Sequence, residues 1–322
     1  MPLVSIVMPT YNRAELLPAA IRSVLQQTYT SWELIIVDDG STDKTKNILS
    51  SFLSENHSKI IYINKNNGGC ASARNAGINI AQGKYIALLD SDDLYMPAKL
   101  EFQTKLLEDN PSAGFVYSDA FEFNPLTRKI WLSRVANHMG YGDFAINHFM
   151  TNHARSGALL YRKYVLDQVG GFREDFCYNE DSHFLQEIAL RSEGCYSEYP
   201  SYLVRNHTGS KSRQLIGLIE HEQRSVELIC NDFPEFVGAN RKNVTNRKNE
   251  LKAKLSIAHL ISGNLLDAYS IYPQVGITGL IGGISRIVRR RVKKIINRNK
   301  DRQVVYKHTE DINKTIGDNF CS

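Results

Sequence analysis

The sequence predicts an α/β protein with a mostly parallel central sheet flanked by helices, and three observations carry that prediction. Short β-branched or apolar runs alternate with helical periodicity from the start of the chain to about residue 118. Two of the runs, Leu34-Ile35-Ile36-Val37 and Ile86-Ala87-Leu88-Leu89, contain no polar residue, the pattern of strands covered on both faces. The composition is ordinary for a globular chain: 322 residues, 42% hydrophobic and 23% charged, with 21 Gly and 9 Pro. That excludes wholesale disorder, collagen and coiled coil, and the length allows one large α/β domain or two smaller ones.

The elements follow in order. A strand at 3–8 leads to a helix at 15–27, where Leu17, Ile21, Val24 and Leu25 recur at helical spacing and Pro18 suits a first turn. Strands are expected at 33–37, 59–63, 85–89 and 114–118, with helices at 43–55, 70–81 and 97–108 between them. The stretch 120–152 is aromatic-rich and weakly patterned, hence irregular or antiparallel. A strand at 158–161 and a helix at 182–191 come next. Beyond Gln214 the signal is helical, at 215–230, 242–261 and 265–272.

The formal charge of +5 is unevenly placed. Nine Lys/Arg and one acid lie between Arg286 and Arg302, a local +8 that leaves the rest of the chain at −3. The five cysteines (Cys70, Cys177, Cys195, Cys230, Cys321) show no CxxC spacing, which fits reduced thiols in the cytoplasm. The opening Met1–Met8 lacks a basic leader, and the longest nearly uncharged late run, 274–285, is short of the ~20 apolar residues of a spanning helix. The expectation is a protein neither secreted nor membrane-spanning.

In open α/β sheets ligands bind outside the carboxyl ends of the strands, at the point where strand order reverses. Those ends run into Pro9-Thr10-Tyr11-Asn12-Arg13, Asp38-Asp39-Gly40-Ser41-Thr42-Asp43, Asn66-Asn67-Gly68-Gly69 and Asp90-Ser91-Asp92-Asp93. Asp43 suits a helix cap, and Gly40-Ser41 and Asn67-Gly68 are ordinary turn chemistry. Three carboxylates within Asp90–Asp93 repel one another unless a cation or hydrogen-bond donors neutralise them. Hard oxygens of this kind suit Mg²⁺ or Mn²⁺, with phosphates completing the coordination shell.

These strings, taken together, resemble the motifs of family-2 glycosyltransferases. The resemblance is carried by residues 4–12, by Val37–Asp43, by Asn67-Gly68-Gly69 with Ala73-Arg74-Asn75, and by Leu89–Asp93, which is similar to the family's DxD motif. Gly170-Gly171-Phe172 followed by Glu180-Asp181 resembles its acceptor-side ED motif. The likeness covers roughly residues 2–210. It implies a GT-A fold, with a catalytic domain over 1–212 divided into a nucleotide-binding half (1–119) and an acceptor half (120–212). A helical extension (213–274) and a basic amphipathic tail (275–322) would follow.

The resemblance also implies roles. Asp39 hydrogen-bonds the donor's base, with Pro9 and Tyr11 as the wall beside it, although Tyr11 equally suits plain packing. Arg74 reaches the nucleotide, or else is a surface salt-bridge partner. Asp90 sits near the ribose, Asp92 is the principal metal ligand, and Asp93 caps the next element. Asp181 is the general base and Glu180 orients the acceptor, while both acids also suit the start of a helix. An ordinary Asp has a pKa of about 4, so partial burial beside Glu180 would raise it usefully. In 204–212, His207 is a second metal ligand or a structural histidine, and Lys211 a phosphate counter-charge. Arg155 would line the acceptor pocket. His138, His148 and His153 read as surface histidines.

The implied activity is transfer of a sugar from a nucleotide-diphosphate sugar, UDP favoured, to a glycan or lipid-linked hydroxyl with inversion, assisted by Mn²⁺ or Mg²⁺. Polysaccharide biosynthesis is the expected setting. Residues 275–299 place apolar side chains at three- and four-residue spacing between basic ones, a composition suited to an anionic membrane surface. No nucleic-acid module accompanies the run, so nucleic acid is not expected as a partner. Two other classes were weighed. A sugar nucleotidyltransferase would place a Gly-rich loop where Pro9–Arg13 stands, and a non-catalytic glycan-binding relative would lack some of the acids present here. A dinucleotide oxidoreductase has no GxGxxG to support it.

Overall fold

The computed structural model describes residues 3–56, 58–125, 128–133, 143–152, 154–206 and 214–262. The described residues form two units, one within 1–175 and 180–207, the other within 176–179 and 208–304.

The first unit is built on a mixed sheet. Its strands are β1 (Val4–Thr10), β2 (Trp32–Asp38), β3 (Ile60–Asn64), β4 (Tyr85–Leu88), β5 (Leu94–Tyr95), β6 (Ala113–Asn124), β7 (Lys129–Ser133), β8 (Leu160–Arg162) and β9 (Glu193–Arg205). The order is β3-β2-β1-β4-β8-β6-β9-β5, with β7 paired to β6. The first four strands are all parallel, with Val4 opposite Trp32 on one side and Tyr85 on the other. Beyond β4 the sheet is mixed: β8 runs antiparallel to β4 and β6, and β9 is parallel to β6. The expected mostly parallel sheet therefore holds for the first half and gives way to mixed directions in the second.

Helices cover both faces: α1 (Leu17–Leu25), α2 (Thr45–Asn56), α3 (Gly69–Ile80), α4 (Lys99–Asp109), α5 (Asp143–Thr151), α6 (Lys163–Val169) and α7 (Glu180–Arg191). The two-residue period of β1 divides its side chains between them. Val4, Ile6 and Met8 join Leu17, Ile21 and Val24 of α1 in one core. Val7 joins Ala71, Ala73 and Ile78 of α3 in the other. Gly77 lets α3 lie close to the sheet, since a Cβ there would stand 2.5 Å from Val7 Cγ1.

The second half departs most from the sequence reading. The stretch 120–152, expected to be irregular or antiparallel, contains the antiparallel β6–β7 hairpin and also the helix α5, which was not expected. Strand β9 was not anticipated, because Glu193, Ser197, Glu198 and Pro200 interrupt any apolar run. It is nonetheless buried along most of its length between β6 and β5.

The second unit contains α8 (Leu215–Asp232), α9 (Pro234–Ala239) and α10 (Arg241–Ile261). Ile219, Val226 and Ile229 of α8 and Val244, Leu251 and Leu255 of α10 are buried. Buried Arg247 of α10 is ion-paired with Glu222 of α8. The expected helix at 265–272 and the basic run 275–299 lie outside the described residues. No described helix is long and apolar enough to cross a membrane.

Candidate active site

The strand order reverses between β1 and β4: the chain moves outward through β2 and β3, then returns to pair β4 with β1. The crevice expected at such a reversal lies at the carboxyl ends of β1, β2 and β4, which point the same way.

At the tips of β1 and β2 the loops are laced together. Asn12, at φ 52, accepts from Thr42 N (2.8 Å) through Oδ1, and its own N–H donates to Ser41 Oγ at 2.9 Å. Arg13 N donates to Thr45 Oγ1 at 3.0 Å. Asp43 accepts from Thr45 N at 2.9 Å, capping α2. Asp38 accepts from Ser41 N (2.9 Å) and the Tyr62 hydroxyl (3.1 Å). The Asp39 carboxylate is buried and receives Lys65 Nζ (2.8 Å) and Gly68 N (2.9 Å) on Oδ1, and Gly69 N (2.7 Å) on Oδ2. A carboxylate offers about four lone-pair sites, so Oδ2 keeps room for a further donor. Pro9 lies in β1 beside Val37, and the Tyr11 ring is 45% exposed at the crevice.

The acids after β4 are held by charged or long-range partners. Asp90 Oδ1 accepts from Arg74 Nη2 at 2.8 Å, and Asp92 Oδ2 lies 3.4 Å from Arg13 Nη2. Asp93 accepts from the Tyr202 hydroxyl at 2.7 Å and Arg205 N at 2.8 Å, so it anchors β9. Burial pushes the Asp93 carboxyl well above the usual range, with Asp92 and Asp90 adding to it. Burial also raises Asp90, against the pull of Arg74. Both shifts express carboxylates crowded together, with Asp93 itself buried away from water.

Glu180 and Asp181 open α7, directly after Asn179 at φ 58. Glu180 Oε1 accepts from Arg74 Nη1 at 2.9 Å, and burial raises its carboxyl in spite of that arginine. Asp181 Oδ1 accepts from Ser182 N at 2.8 Å. Arg74 is thus buried at 3% exposure, its terminal nitrogens bound to Asp90 and Glu180. The sequence had offered the nucleotide or a surface salt bridge for it; it does pair with acids, but in a buried position and not at the surface. The cause of the difference is tertiary: two acids distant in sequence converge on it.

His148 is also unlike its sequence reading. It is buried, stacks on Phe144 with ring centroids 5.7 Å apart, and its Nε2 lies 3.1 Å from the Ser182 carbonyl at the start of α7. Its i+4 spacing from Phe144 on a short amphipathic helix was the available signal. Arg155 pairs with Glu122 at 3.1 Å. His207, Lys211, His138 and His153 lie outside the described residues.

Among the described residues no three His, Cys, Asp or Glu side chains converge as an all-protein metal cage. A divalent ion held by one or two carboxylates and completed by phosphate oxygens needs no such cage. Partly exposed Asp92 beside Asp90 supplies hard oxygens of that kind, each carboxylate lying next to one arginine. The residues fit the ion.

A parallel first half with a rim of acids at the switch point, to which Glu180 is tied through Arg74, defines the class of α/β protein whose ligand sits at the carboxyl ends of its strands. Comparison carries this to the family. The family model for glycosyl transferase family 2 matches residues 5–170, and the chain belongs to that family. A UDP-Glc:alpha-D-GlcNAc-diphosphoundecaprenol beta-1,3-glucosyltransferase (WfgD) of Escherichia coli is 42% identical over 117 residues, covering 36% of this chain and 45% of that protein. TuaG of Bacillus subtilis, a putative teichuronic acid biosynthesis glycosyltransferase, is 41% identical over 113 residues, covering 35% and 44%. The chain spans between 16% and 56% of the length of the first curated relatives it matches. The fold is similar to that of mannosyltransferase PcManGT from Pyrobaculum calidifontis in complex with GDP-Man and Mn²⁺. That likeness has a TM-score of 0.61 and 17% identity, over 100% of this chain and 88% of that one. S. aureus TarS 1-349 with UDP-GlcNAc gives a TM-score of 0.60 at 17% identity over 99% and 80%. The architecture is GT-A.

Proposed function

We propose that the protein transfers a sugar from a nucleoside-diphosphate sugar to the hydroxyl of a glycan or lipid-linked acceptor, with inversion at the anomeric carbon. The observation that carries this reading is the gathering of Asp39, Asp90 and Asp92 at adjacent tips of parallel strands, with Glu180 tied to the same rim. The Oδ2 site left on Asp39 suits the imino N–H of a base, for which uracil is favoured, between the walls of Pro9 and Tyr11. Asp90 faces the ribose, and Asp92 holds Mn²⁺ or Mg²⁺, with His207 as a second ligand and Lys211 as a counter-charge to the diphosphate. When bound, the ion neutralises the charge that develops on the departing diphosphate.

The chain's own residues do the rest. Asp181, presented rigidly at the start of α7, takes the proton of the acceptor hydroxyl as its oxygen attacks the anomeric carbon from the face opposite the diphosphate. The sugar–phosphate bond breaks and its electron pair leaves with the nucleotide. Glu180, held by Arg74, orients the pair. On this reading 1–119 serves the nucleotide and 120–212 the acceptor, with 213–274 a helical extension and 275–322 a basic tail that docks on the cytoplasmic face of a membrane. The lipid-linked substrate in the name of the Escherichia coli relative supports that setting in polysaccharide assembly.

The test is nucleotide release from UDP-glucose, UDP-GlcNAc and GDP-mannose by purified protein, with Mn²⁺, Mg²⁺ or EDTA. Metal-dependent release of UDP or GDP is expected. Release undiminished in EDTA would remove the metal from the mechanism, and no release from any donor, with no nucleotide binding by calorimetry, would remove the reading.

A further inference from the structure

Two motifs far apart in sequence interlock in the first unit. Arg74 and Glu180 are separated by 106 residues, yet the guanidinium binds Glu180 through Nη1 at 2.9 Å and Asp90 through Nη2 at 2.8 Å. The same guanidinium lies 5.2 Å above the ring of Phe172, and that ring stacks on Phe184 of α7 with centroids 4.0 Å apart. The next residue, Asn75, grips the backbone of Phe172 from both sides. Its Nδ2 donates to the Phe172 carbonyl at 2.9 Å, and Phe172 N donates to its Oδ1 at 2.7 Å. Gly171, at φ +99, makes room for the grip, since a Cβ there would stand 2.9 Å from Asn75 Oδ1.

We propose that Arg74 and Asn75 form a positioning unit that registers the acceptor-side acids against the donor-side carboxylate Asp90, pinning Glu180 and leaving Asp181 as the acid that takes the proton. Asn75 fixes the segment leading to α7, and Arg74 fixes the start of α7 itself. The chemistry requires an arginine. Its planar fork presents two separate nitrogens to two separate carboxylates, whereas a lysine offers a single point of charge. The guanidinium is buried while Asp90 and Glu180 are partly exposed, so removing either acid leaves a buried positive charge short of a partner. The distribution of roles rests on the sugar-transfer reading above; the clamp itself rests on contacts within the fold.

The experiment compares the wild-type chain with Arg74→Lys, Glu180→Gln and the double variant. It uses UDP with Mn²⁺ in calorimetry, amide hydrogen exchange over residues 180–185, and turnover of whichever of the three donors the wild type uses. A positioning role predicts exchange at 180–185 faster by about tenfold in Arg74→Lys, and by a smaller but measurable factor in Glu180→Gln, which removes the charge of the same link and leaves only an amide acceptor. The double variant falls no further than either single one, because the two residues act through one contact. The UDP·Mn²⁺ affinity stays within about threefold, and the loss of about thirtyfold in turnover appears in kcat and not in donor KM. The proposal is overturned if Arg74→Lys loses UDP affinity as steeply as turnover with α7 exchange unchanged, the behaviour of a nucleotide ligand. Additive losses in the double variant overturn it as well. If Arg74→Lys does not fold, unchanged exchange in Glu180→Gln is the overturning result. A wild-type chain that neither binds UDP nor uses any donor defeats the sugar-transfer reading alone, since the exchange comparison still reads the clamp.

Discussion

The acids at the tip of β2 and those after β4 lie on the same rim but are held by different means. Asp38 and Asp39 are received largely by local donors: the N–H groups of Ser41, Gly68 and Gly69, the Tyr62 hydroxyl and Lys65, all supplied by the loops and strand beside them. Asp90 depends on the charged side chain of Arg74, and Asp93 on Tyr202 and the Arg205 N–H, more than a hundred residues away; burial raises both. The first cluster is a scaffold that shapes a pocket. The second is a store of negative charge under tension, suited to receiving a cation, and it ties the crevice to β9 and α7. Backbone donors are neutral and preorganised, so they stabilise a carboxylate, whereas crowded carboxylates repel one another.

Substitutions test this contrast, and the largest effect is expected away from both clusters. Asp181→Asn should lower sugar transfer by about 10³-fold while leaving UDP·Mn²⁺ affinity in place, as loss of a general base does. Steady-state rates beside calorimetry check it; a variant with near wild-type rate would move the base elsewhere. Asp92→Ala should cost about 10²-fold in metal-dependent nucleotide release. Its urea midpoint should hold or rise, because the change relieves repulsion on Asp90 and Asp93.

Asp39→Asn should behave in the opposite sense. Its amide nitrogen would face N–H donors from Gly68, Gly69 or Lys65, and stability should fall by about 2 kcal/mol in urea titration. A variant as stable as wild type would erase the distinction between scaffold and charge store.

The smallest effect is a pH dependence. Glu180 has its carboxyl raised from 4.5 by burial, so the folded chain holds that proton more tightly than the unfolded one. The resulting stabilisation is present below the unfolded value and is lost as pH rises through the folded value. The stability of Glu180→Gln relative to wild type should therefore grow between about pH 4 and pH 7, by no more than about 1 kcal/mol. A difference that shrinks over that range would reverse the assigned direction.

Much of the first half was legible because its signals are local. The buried runs 34–37 and 86–89 are strands β2 and β4. The Pro18 helix is α1, and the acids and glycines at the strand ends mark the rim. The second half was harder to read. Strand β9 carries polar residues and a proline, and its burial comes from pairing with β6 and β5 instead of from its own pattern. Helix α5 was hidden by its short length, and His148 by the absence of any spacing that names its partner on α7.

The sequence by itself determined the alternation of strand and helix, the chemistry available at each strand end and the family, since these depend on short-range pattern and residue type. Only the tertiary structure decided that strand order reverses between β1 and β4, that Asp93 serves β9, and that Arg74 joins Asp90 to Glu180. Partnership between residues a hundred positions apart depends on how the sheet brings distant segments to one edge, and no local pattern encodes that distance.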